Sequence, residues 1–495
     1  MKARSDWRDW RWRRCLSCVV WVSLVLPGCA LIHENGTPYA QLQPEQIRLA
    51  DDIHLARDGW PSARWWTSYG DPQLDALIES ALADAPTIVI ARTRVAQAKS
   101  DVERVKAGSN LQVVALGSLD REHVSAHGFL GPFASNEPAA GLDGPWYTQG
   151  IVGFGASLDI DIWGKQRAQV AASLGVHNAR LAETSAAELE ISTDVAQLYY
   201  GIQTTYQLID LLEQSQQVAA FELETHTARA ARGLEPQTRV EEARAQQLAV
   251  QRQIVAAQGQ LKQFRESLRA LTGAGPEGLK AIEPVPLPRA QASLPATLSY
   301  ELLARRPDLQ AMRWYVESSF DQIDAAKAAF YPSFDIKAFF GFDALHLAEL
   351  FTHASQQINL IPGLTLPIFD GGRLNANLGG ARTASNLLIE QYNQAVLDAV
   401  RDVASTGSRL QDLDAETQLQ ARKVQAVAFA RDSAEAQYQR GLASRVTAME
   451  ARQPLIAEQV ALVNLDGQRL SQEIALAKAL GGGYRAASPV ELKPR

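Results

Sequence analysis

The sequence predicts a mainly helical protein with a few strands that span a membrane, and three observations lead to that fold class. Long stretches rich in Ala, Gln, Glu, Leu and Arg contain little Gly or Pro, a composition that favours long helices. Four shorter stretches alternate apolar and polar residues, as strands of a membrane barrel do. The order of helices and strands occurs twice along the chain, which indicates an internal duplication.

The helical stretches are long enough to decide the architecture. They cover residues 73–107, 164–231, 236–272, 297–330, 371–440 and 444–480. A helix of about 68 residues is roughly 100 Å long at about 1.5 Å per residue. Since a rod of that length exceeds a compact domain, we expect these helices to pack along one another as coiled coils.

The strand candidates form two pairs, 111–119 with 151–163 and 333–342 with 358–369. The segment 151–163 places six apolar side chains on one face and glycine, serine and aspartate on the other. It is long enough to cross a bilayer at a tilt. A half-buried strand of a soluble sheet would alternate in the same way. Four such segments, with polar connections inside each pair, favour the membrane location.

Four membrane strands per chain are too few to close a barrel, since the smallest single-chain barrels have about eight. Open strand edges are not tolerated in lipid, because their backbone N–H and C=O groups would have no partner. Several copies of the chain must therefore share one barrel. Two copies would give about eight strands and three would give about twelve, and the strand pattern alone does not choose between them.

The N-terminal segment 1–28 has the layout of a signal peptide. A basic head precedes an apolar run from Leu16 to Leu26, which is too short to span a bilayer. The run ends in Leu26-Pro27-Gly28-Cys29, which resembles the lipobox of bacterial lipoproteins. We therefore expect Cys29 to be the lipidated first residue of the mature chain, although an ordinary signal peptide would read similarly.

Composition and charge argue against several function classes. Removal of the signal, with its six basic and two acidic residues, takes the net charge from −7 to about −11. Such an acidic chain is a poor nucleic-acid binder. No HExxH, P-loop, GxSxG or CxxC pattern occurs, so we expect no enzyme and, apart from the lipid, no cofactor. With only three methionines and eight scattered histidines, no metal site is expected either.

Several motifs carry a likeness to one family. They are WWTSYGDPQLDALIESAL at 65–82, LLARRPDL at 302–309, AAFYPSF at 328–334, LPIFDGGR at 366–373 and QRGLASRV at 439–446. In this order they resemble the TolC family of outer-membrane efflux channels, in its acylated OprM or NodT branch, over roughly 60–484. The resemblance implies a homotrimer with one twelve-stranded β-barrel. That barrel would continue into an α-helical coiled-coil tunnel reaching about 100 Å into the periplasm.

The same resemblance implies a location, partners and a role. The channel would lie in the bacterial outer membrane, anchored by the lipid on Cys29, and would extend into the periplasm. It would dock with a periplasmic adaptor protein and an inner-membrane pump, and would passively conduct small molecules such as drugs or toxic organic compounds. Two alternatives stay open. One is a structural coiled-coil lipoprotein that conducts nothing, and the other is a metal-ion efflux channel.

The two halves of the chain match in the order of their elements, and this order divides the sequence. The divisions are residues 1–28 (lipoprotein signal peptide), 29–72 (N-terminal extended segment and equatorial region), 73–285 (first repeat), 286–484 (second repeat) and 485–495 (C-terminal tail).

A short turn between two long helical stretches occurs twice, once in each repeat. The copies are Arg232-Gly233-Leu234 and Arg440-Gly441-Leu442. Glycine can adopt the left-handed conformation that ends a helix, while leucine offers an apolar knob and arginine a charged rim. The resemblance implies that these turns are periplasmic tips that meet the helical hairpins of the adaptor. Glycines that only end a helix are the alternative interpretation.

The resemblance places a pore gate just beyond the second tip. Thr447 and Glu450 match positions where the family has a polar residue and an aspartate facing the closed pore. Three residues apart, they share one helix face. In a trimer Glu450 would form a ring of carboxylates, which at about 6 Å repel by roughly 3 kcal/mol at an effective dielectric of about 20. A solvated surface glutamate is the alternative.

Three further residues complete the predicted gate. They are Arg452 beside the second tip and Glu242 and Arg244 beside the first. The match to the family is poorer in the first repeat, because Arg239 stands where an aspartate is common. Pro454 lies close to the gate and predicts a bend in its helix.

Overall fold

The computed structural model describes residues 32, 39–42, 60–125, 127–128, 144–275, 282–288, 305–486 and 488–491. The predicted signal peptide, Cys29 and the stretch 297–304 of one predicted helix lie outside these residues. Within the described part the chain is mostly helical, and its four strands form one sheet.

The helices and strands follow the predicted order. The helices are α1 (Pro72–Asp84), α2 (Pro86–Gly108), α3 (Lys165–Ala231), α4 (Gln237–Thr272), α5 (Pro307–Ala328), α6 (Arg373–Gln439), α7 (Arg445–Glu450) and α8 (Arg452–Ala479). The strands are β1 (Gln112–His123), β2 (Trp146–Ile160), β3 (Ser333–Ala344) and β4 (Gln356–Thr365). Short 3-10 turns occur at Trp65–Tyr69, Leu347–Glu349 and His353–Ser355.

Proline divides two of the predicted helices. The stretch 73–107 breaks at Ala85, whose φ of −57° and ψ of 131° are extended because Pro86 follows it. The stretch 444–480 breaks at Ala451, between α7 and α8. Pro454 has no amide hydrogen to donate to the carbonyl group of Glu450, and its ring crowds that group. The helix is therefore interrupted close to the place where Pro454 predicts a bend.

Four helices stand side by side next to the four strands. Helix α2 leads into β1, β2 into α3, α5 into β3, and β4 into α6. The helix pairs α2–α3, α3–α5 and α5–α6 pack together, in the same order as the strands β1-β2-β3-β4. Helices and strands therefore form one continuous wall that is a single layer thick.

The two longest helices extend this wall away from the strands. Helices α3 and α6 have 67 residues each, which corresponds to about 100 Å. Along the part of the wall that is distant from the strands, α4 packs on α3. In the same part, α7 and α8 pack on both α6 and α3. The coiled-coil packing expected from helix length is thus confirmed, and the repeated turns lie at the end of the molecule opposite the strands.

The sheet is open and antiparallel, with β1 and β4 at its edges. Its register aligns Phe154 with Phe340 and Phe340 with Ile358. These three side chains belong to one apolar face and are 58%, 51% and 69% exposed. Asp159 and Asp335 are aligned on the opposite face. The predicted alternation is confirmed, and within one protomer the apolar face is left largely uncovered.

Two glycines let β2 and β3 approach closely on the polar face. Gly153 and Gly341 are partners in the register. A Cβ on Gly341 would lie 2.3 Å from the carbonyl oxygen of Val152, and a Cβ on Gly153 would lie 2.6 Å from that of Phe340. Any side chain at either position would push the two strands apart, so only glycine fits there.

The largest apolar cluster among the described residues lies where α3 passes α1. Trp65, Ile78, Tyr199 and Leu268 are among its buried members. Asp71 caps α1 by accepting two amide hydrogens of the first turn, at 3.0 and 3.4 Å. Its other carboxylate oxygen accepts the hydroxyl of Tyr199 at 2.6 Å. One side chain thus ends α1 and ties it to the long helix α3.

Candidate functional site

The first repeated turn has a defined hydrogen-bond pattern. Gly233 follows the end of α3 with a φ of +69°, in the left-handed region. Its amide donates to the carbonyl oxygen of Ala230 at 2.9 Å, and the amide of Leu234 donates to that of Arg229 at 3.0 Å. This pair of bonds is the Schellman motif, which needs a left-handed residue at the glycine position.

The second turn repeats the pattern. Gly441 has a φ of +75°. Its amide donates to the carbonyl oxygen of Tyr438 at 2.9 Å, and that of Leu442 donates to Gln437 at 2.8 Å. Each donor and each acceptor of the second turn has a counterpart in the first turn. The two members of each such pair are separated in sequence by the same distance as Gly233 and Gly441. The sequence repeat is therefore a repeat of backbone geometry.

The leucine after each glycine is largely uncovered. In a Schellman motif this residue often contacts an apolar side chain in the last helical turn, but the corresponding residues are Arg229 and Gln437. Leu234 and Leu442 are 70% and 75% exposed. Each turn therefore presents an apolar side chain that contributes little to the stability of its own protomer.

The two turns lie at the same end of the protomer. Arg445 of α7 lies over the ring of Phe221 on α3, with its guanidinium carbon 5.0 Å from the ring centroid. The amide group of Gln453 on α8 donates to the hydroxyl of Ser215 on α3 at 2.7 Å. These contacts hold the helices that follow the second turn against α3, close to the first turn.

An ion cluster braces the first turn only. One carboxylate oxygen of Glu235 lies 2.5 Å from Nδ1 of His226, and the other lies 2.9 Å from a guanidinium nitrogen of Arg229. The hydrogen bond from His226, followed by that from Arg229, lowers the pKa of Glu235 below its ordinary 4.5. At the equivalent place in the second turn stands Ala443, so that turn lacks this carboxylate.

The predicted gate residues Thr447 and Glu450 are both exposed on α7, while Ala448 between them is buried. Ser444 caps the helix, since its hydroxyl accepts the amide hydrogen of Thr447 at 3.2 Å. The two hydroxyl groups of Ser444 and Thr447 also lie 3.0 Å apart. Thr447 is therefore tied to the cap, while Glu450 is exposed at the end of α7.

A second carboxylate lies near Glu450. Burial of Glu222 on α3 raises the pKa of its carboxyl above the ordinary 4.5. The charge of Glu450 raises that pKa further, and the charge of His226 lowers it. Sequence reasoning missed Glu222, because its proximity to Glu450 depends on how α7 packs against α3. A carboxylate pair therefore lies where the predicted gate meets the first long helix.

The other predicted gate residues take part in ion pairs. Arg452 lies 3.6 Å from Glu435 on α6. On α4, Glu242 lies 3.1 Å from Arg239, and Arg244 lies 3.6 Å from the carboxylate of the glutamate three residues before it. These are pairs between partly exposed groups, which contribute about 0–1 kcal/mol. The structure thus brings Glu450 near Glu222 but places Glu242 and Arg244 on a separate helix.

No helix in the described part of the chain combines the length and the apolar character needed to cross a bilayer. Within the same residues, His, Cys, Asp and Glu side chains form no group that could hold a metal ion. The expected lipidation site, Cys29, lies outside the described residues.

Comparison with known proteins gives the same fold and places the chain in a family. The family profile described as outer membrane efflux protein matches residues 77–274 and 298–482. The multidrug resistance outer membrane protein MdtP of Escherichia coli strain K12 is 56% identical over 481 residues, 97% of this chain and 99% of MdtP. The outer membrane protein MdtQ of Escherichia coli O157:H7 is 41% identical over 463 residues, 93% of this chain and 96% of MdtQ.

Solved structures of channels extend the likeness. The outer membrane protein VceC of Vibrio cholerae has 32% identity and a TM-score of 0.74, over 86% of this chain and all of VceC. The outer membrane channel CmeC of Campylobacter jejuni has the same fold, with a TM-score of 0.80 at 19% identity, over 93% of this chain and 96% of CmeC. The chain therefore belongs to the outer membrane efflux protein family and is a TolC-type efflux channel subunit of the outer membrane.

Proposed function

We propose that three copies of the chain form one passive channel, the outermost part of a tripartite pump that exports drugs or toxic organic molecules. The open sheet carries this proposal. Its edge strands β1 and β4 have no second strand partner among the described residues. In lipid such edges must pair, and three copies would close twelve strands around a lumen, whereas about eight strands would enclose little more than side chains.

The cargo and the partners are part of the proposal. MdtP and MdtQ are named multidrug resistance outer membrane proteins, which supports a cargo of drug-like molecules. The exposed leucines at 234 and 442 support docking of a periplasmic adaptor protein at the tips, since an apolar knob favours a partner that covers it. The adaptor would connect the channel to an inner-membrane pump.

The gate and the anchor complete the proposed channel. Glu450 and Thr447 would narrow the periplasmic entrance, with Arg452 held against α6 and with Glu242 and Arg244 on the neighbouring α4. The raised pKa of Glu222, to which burial and then the charge of Glu450 contribute, supports this, because repulsion between the two ionised carboxylates would oppose the packing of α7 on α3. A lipid on Cys29 would anchor the N-terminal segment in the membrane.

Planar bilayer recording tests the proposal against the structural lipoprotein. The full chain, purified in detergent, is expected to have the mass of a trimer and to produce discrete conductance steps after insertion. A structural lipoprotein would leave the bilayer current unchanged. A monomer that stays soluble without detergent would likewise contradict the channel.

A further inference from the structure

Two basic residues occupy equivalent places in the two repeats and take no part in the turns or the proposed gate. Lys165 and Arg373 are the first residues of α3 and α6, at the same spacing as the repeated turns. Both are exposed, and neither forms an ion pair with another described residue. Positive charge at the start of a helix opposes the helix dipole. Helix stability therefore does not explain these two residues.

Both side chains line one cavity. It has a volume of about 500 Å³ and lies between α3, α5 and α6. Gln169, Gln322 and Asn377 contribute polar groups to its wall, and two alanines of α5 with the alanine that follows its last residue contribute an apolar surface. The described residues that line it include no carboxylate. The cavity is thus positively charged, with hydrogen-bonding groups beside a small apolar surface.

The N-terminal segment of the chain shows which side of α6 faces outwards. Asn393 accepts the amide hydrogen of Leu42 at 2.8 Å and donates to the carbonyl oxygen of Ala40 at 3.1 Å. Asn386 accepts the amide hydrogen of Tyr39 at 3.3 Å. The segment follows the proposed lipid anchor at Cys29 by only ten residues, which span at most about 35 Å. An N-terminal segment that is anchored in the surrounding lipid must lie on the outer side of the closed channel wall, so the side of α6 that it contacts faces outwards.

The C-terminal segment lies on α3 in the same way. Asn178 accepts the amide hydrogen of Val490 at 3.1 Å and donates to the carbonyl oxygen of the same residue at 3.4 Å. Asn178 corresponds to Asn386, again at the spacing of the repeated turns. Equivalent asparagines of the two long helices therefore each hold a segment near one end of the chain.

The cavity lies on the other side of these helices. Asn178 is thirteen residues beyond Lys165, and Asn386 is thirteen beyond Arg373. Thirteen residues make roughly 3.6 turns at about 3.6 residues per turn. Because this is not a whole number of turns, each asparagine lies on a different side of its helix from the basic residue. If the asparagines face outwards, Lys165 and Arg373 face the lumen.

The strands agree with this orientation. Lys165 and Arg373 also line an adjoining cavity to which Asp159 and Asp335 contribute, and these aspartates lie on the polar face of the sheet. The apolar face must meet lipid, so the polar face meets the lumen. The basic residues and the polar strand face are therefore on one side of the wall.

We propose that Lys165 and Arg373 form a luminal belt of cationic side chains where the helical tunnel meets the barrel, and that this belt binds the anionic groups of passing solutes. The proposal rests on the trimeric channel, which repeats the pair three times. Two of the three acids in the adjoining cavity pair with other cations, since Asp161 lies 3.6 Å from Arg167 and Asp335 lies 3.5 Å from Lys337. The third, Asp159, offsets only one of the two charges of Lys165 and Arg373, so the belt keeps a net positive charge. Organic carboxylates and sulfonates with a small apolar body fit the cavity.

A blocking experiment tests the belt in the full chain. Naphthalene trisulfonate is added on the barrel side of a bilayer that contains the channel, and the concentration that halves the current is measured. In Lys165→Gln with Arg373→Gln we expect this concentration to rise roughly tenfold. The charge-retaining control, Lys165→Arg with Arg373→Lys, should be blocked like the original channel.

Two further measurements distinguish a failure of the proposed belt from a failure of the proposed channel. A Gln169→Cys variant should lose current when a sulfonated thiol reagent is added on the barrel side, because that side chain shares the proposed luminal cavity. Equal block of the original channel and the glutamine variant, or no effect of the reagent on the Gln169→Cys variant, would overturn the belt. Absence of any conductance steps in the unmodified protein would instead contradict the proposed channel.

Discussion

Glu450 is the exposed carboxylate at the end of α7 that would form a three-membered ring in the trimer. Replacing it by alanine removes the charge and shortens the side chain. We expect Glu450→Ala to raise the single-channel conductance and to weaken cation selectivity, which the reversal potential in a salt gradient measures. Glu450→Asp, which retains the charge, serves as the control. Unchanged current and reversal potential in the alanine variant would remove Glu450 from the gate.

We predict that Glu222 makes the proposed gate sensitive to pH. Because its pKa is raised above the ordinary 4.5, its ionised form disfavours the packed tip. The penalty is absent when the carboxyl is protonated at low pH, and it develops as the pH rises through the raised pKa. We therefore expect the conductance to increase with pH above 4.5.

A Glu222→Gln variant isolates this effect from the nearby His226. The amide cannot ionise, so the rise of conductance with pH should become flatter while the channel stays assembled. Conductance recorded from acidic to neutral pH in both proteins gives the comparison. An identical pH profile would show that Glu222 does not control the tip.

At the scale of the elements, the helix–turn–helix tips combine rigid backbones with uncovered leucines. Replacing Leu234 and Leu442 by serine should leave folding and membrane insertion intact, because both side chains are already exposed. Efflux of a fluorescent dye from cells should fall strongly, since the apolar contact with the adaptor is lost. Leu234→Met with Leu442→Met keeps the apolar surface and should retain efflux. Normal efflux by the serine variant would rule out docking through these leucines.

The same elements show how far local pattern predicts structure. The glycine turns, the four strands and the break near Pro454 all follow from propensity, alternation and proline chemistry. The ion cluster of His226, Arg229 and Glu235 and the neighbouring pair Glu222 and Glu450 do not. The first depends on the path of the turn, and the second brings together residues of two repeats that are remote in sequence.

At the scale of the whole molecule, the strands and the four helices beside them form a wall, and we propose that its two faces have different tasks. One face binds segments near both ends of the chain through asparagines, and the other carries the proposed cationic belt. Lipid on Cys29 would secure the first of these ends. We expect Cys29→Ala to lose incorporation of labelled palmitate, while the conductance of purified protein is unchanged because the strands still insert. Labelled palmitate in the alanine variant would place the lipid elsewhere.

The sequence by itself determined the classes of element, their order, the repeated turns and the need for several copies around one barrel. These follow from helix propensity, from period-two alternation and from the requirement that lipid leaves no strand edge unpaired. Only the tertiary structure decided which side of each long helix faces the lumen and which carboxylates meet at the tip. The reason is that a long helix exposes residues in every direction, and only packing against its neighbours selects the side that does each task.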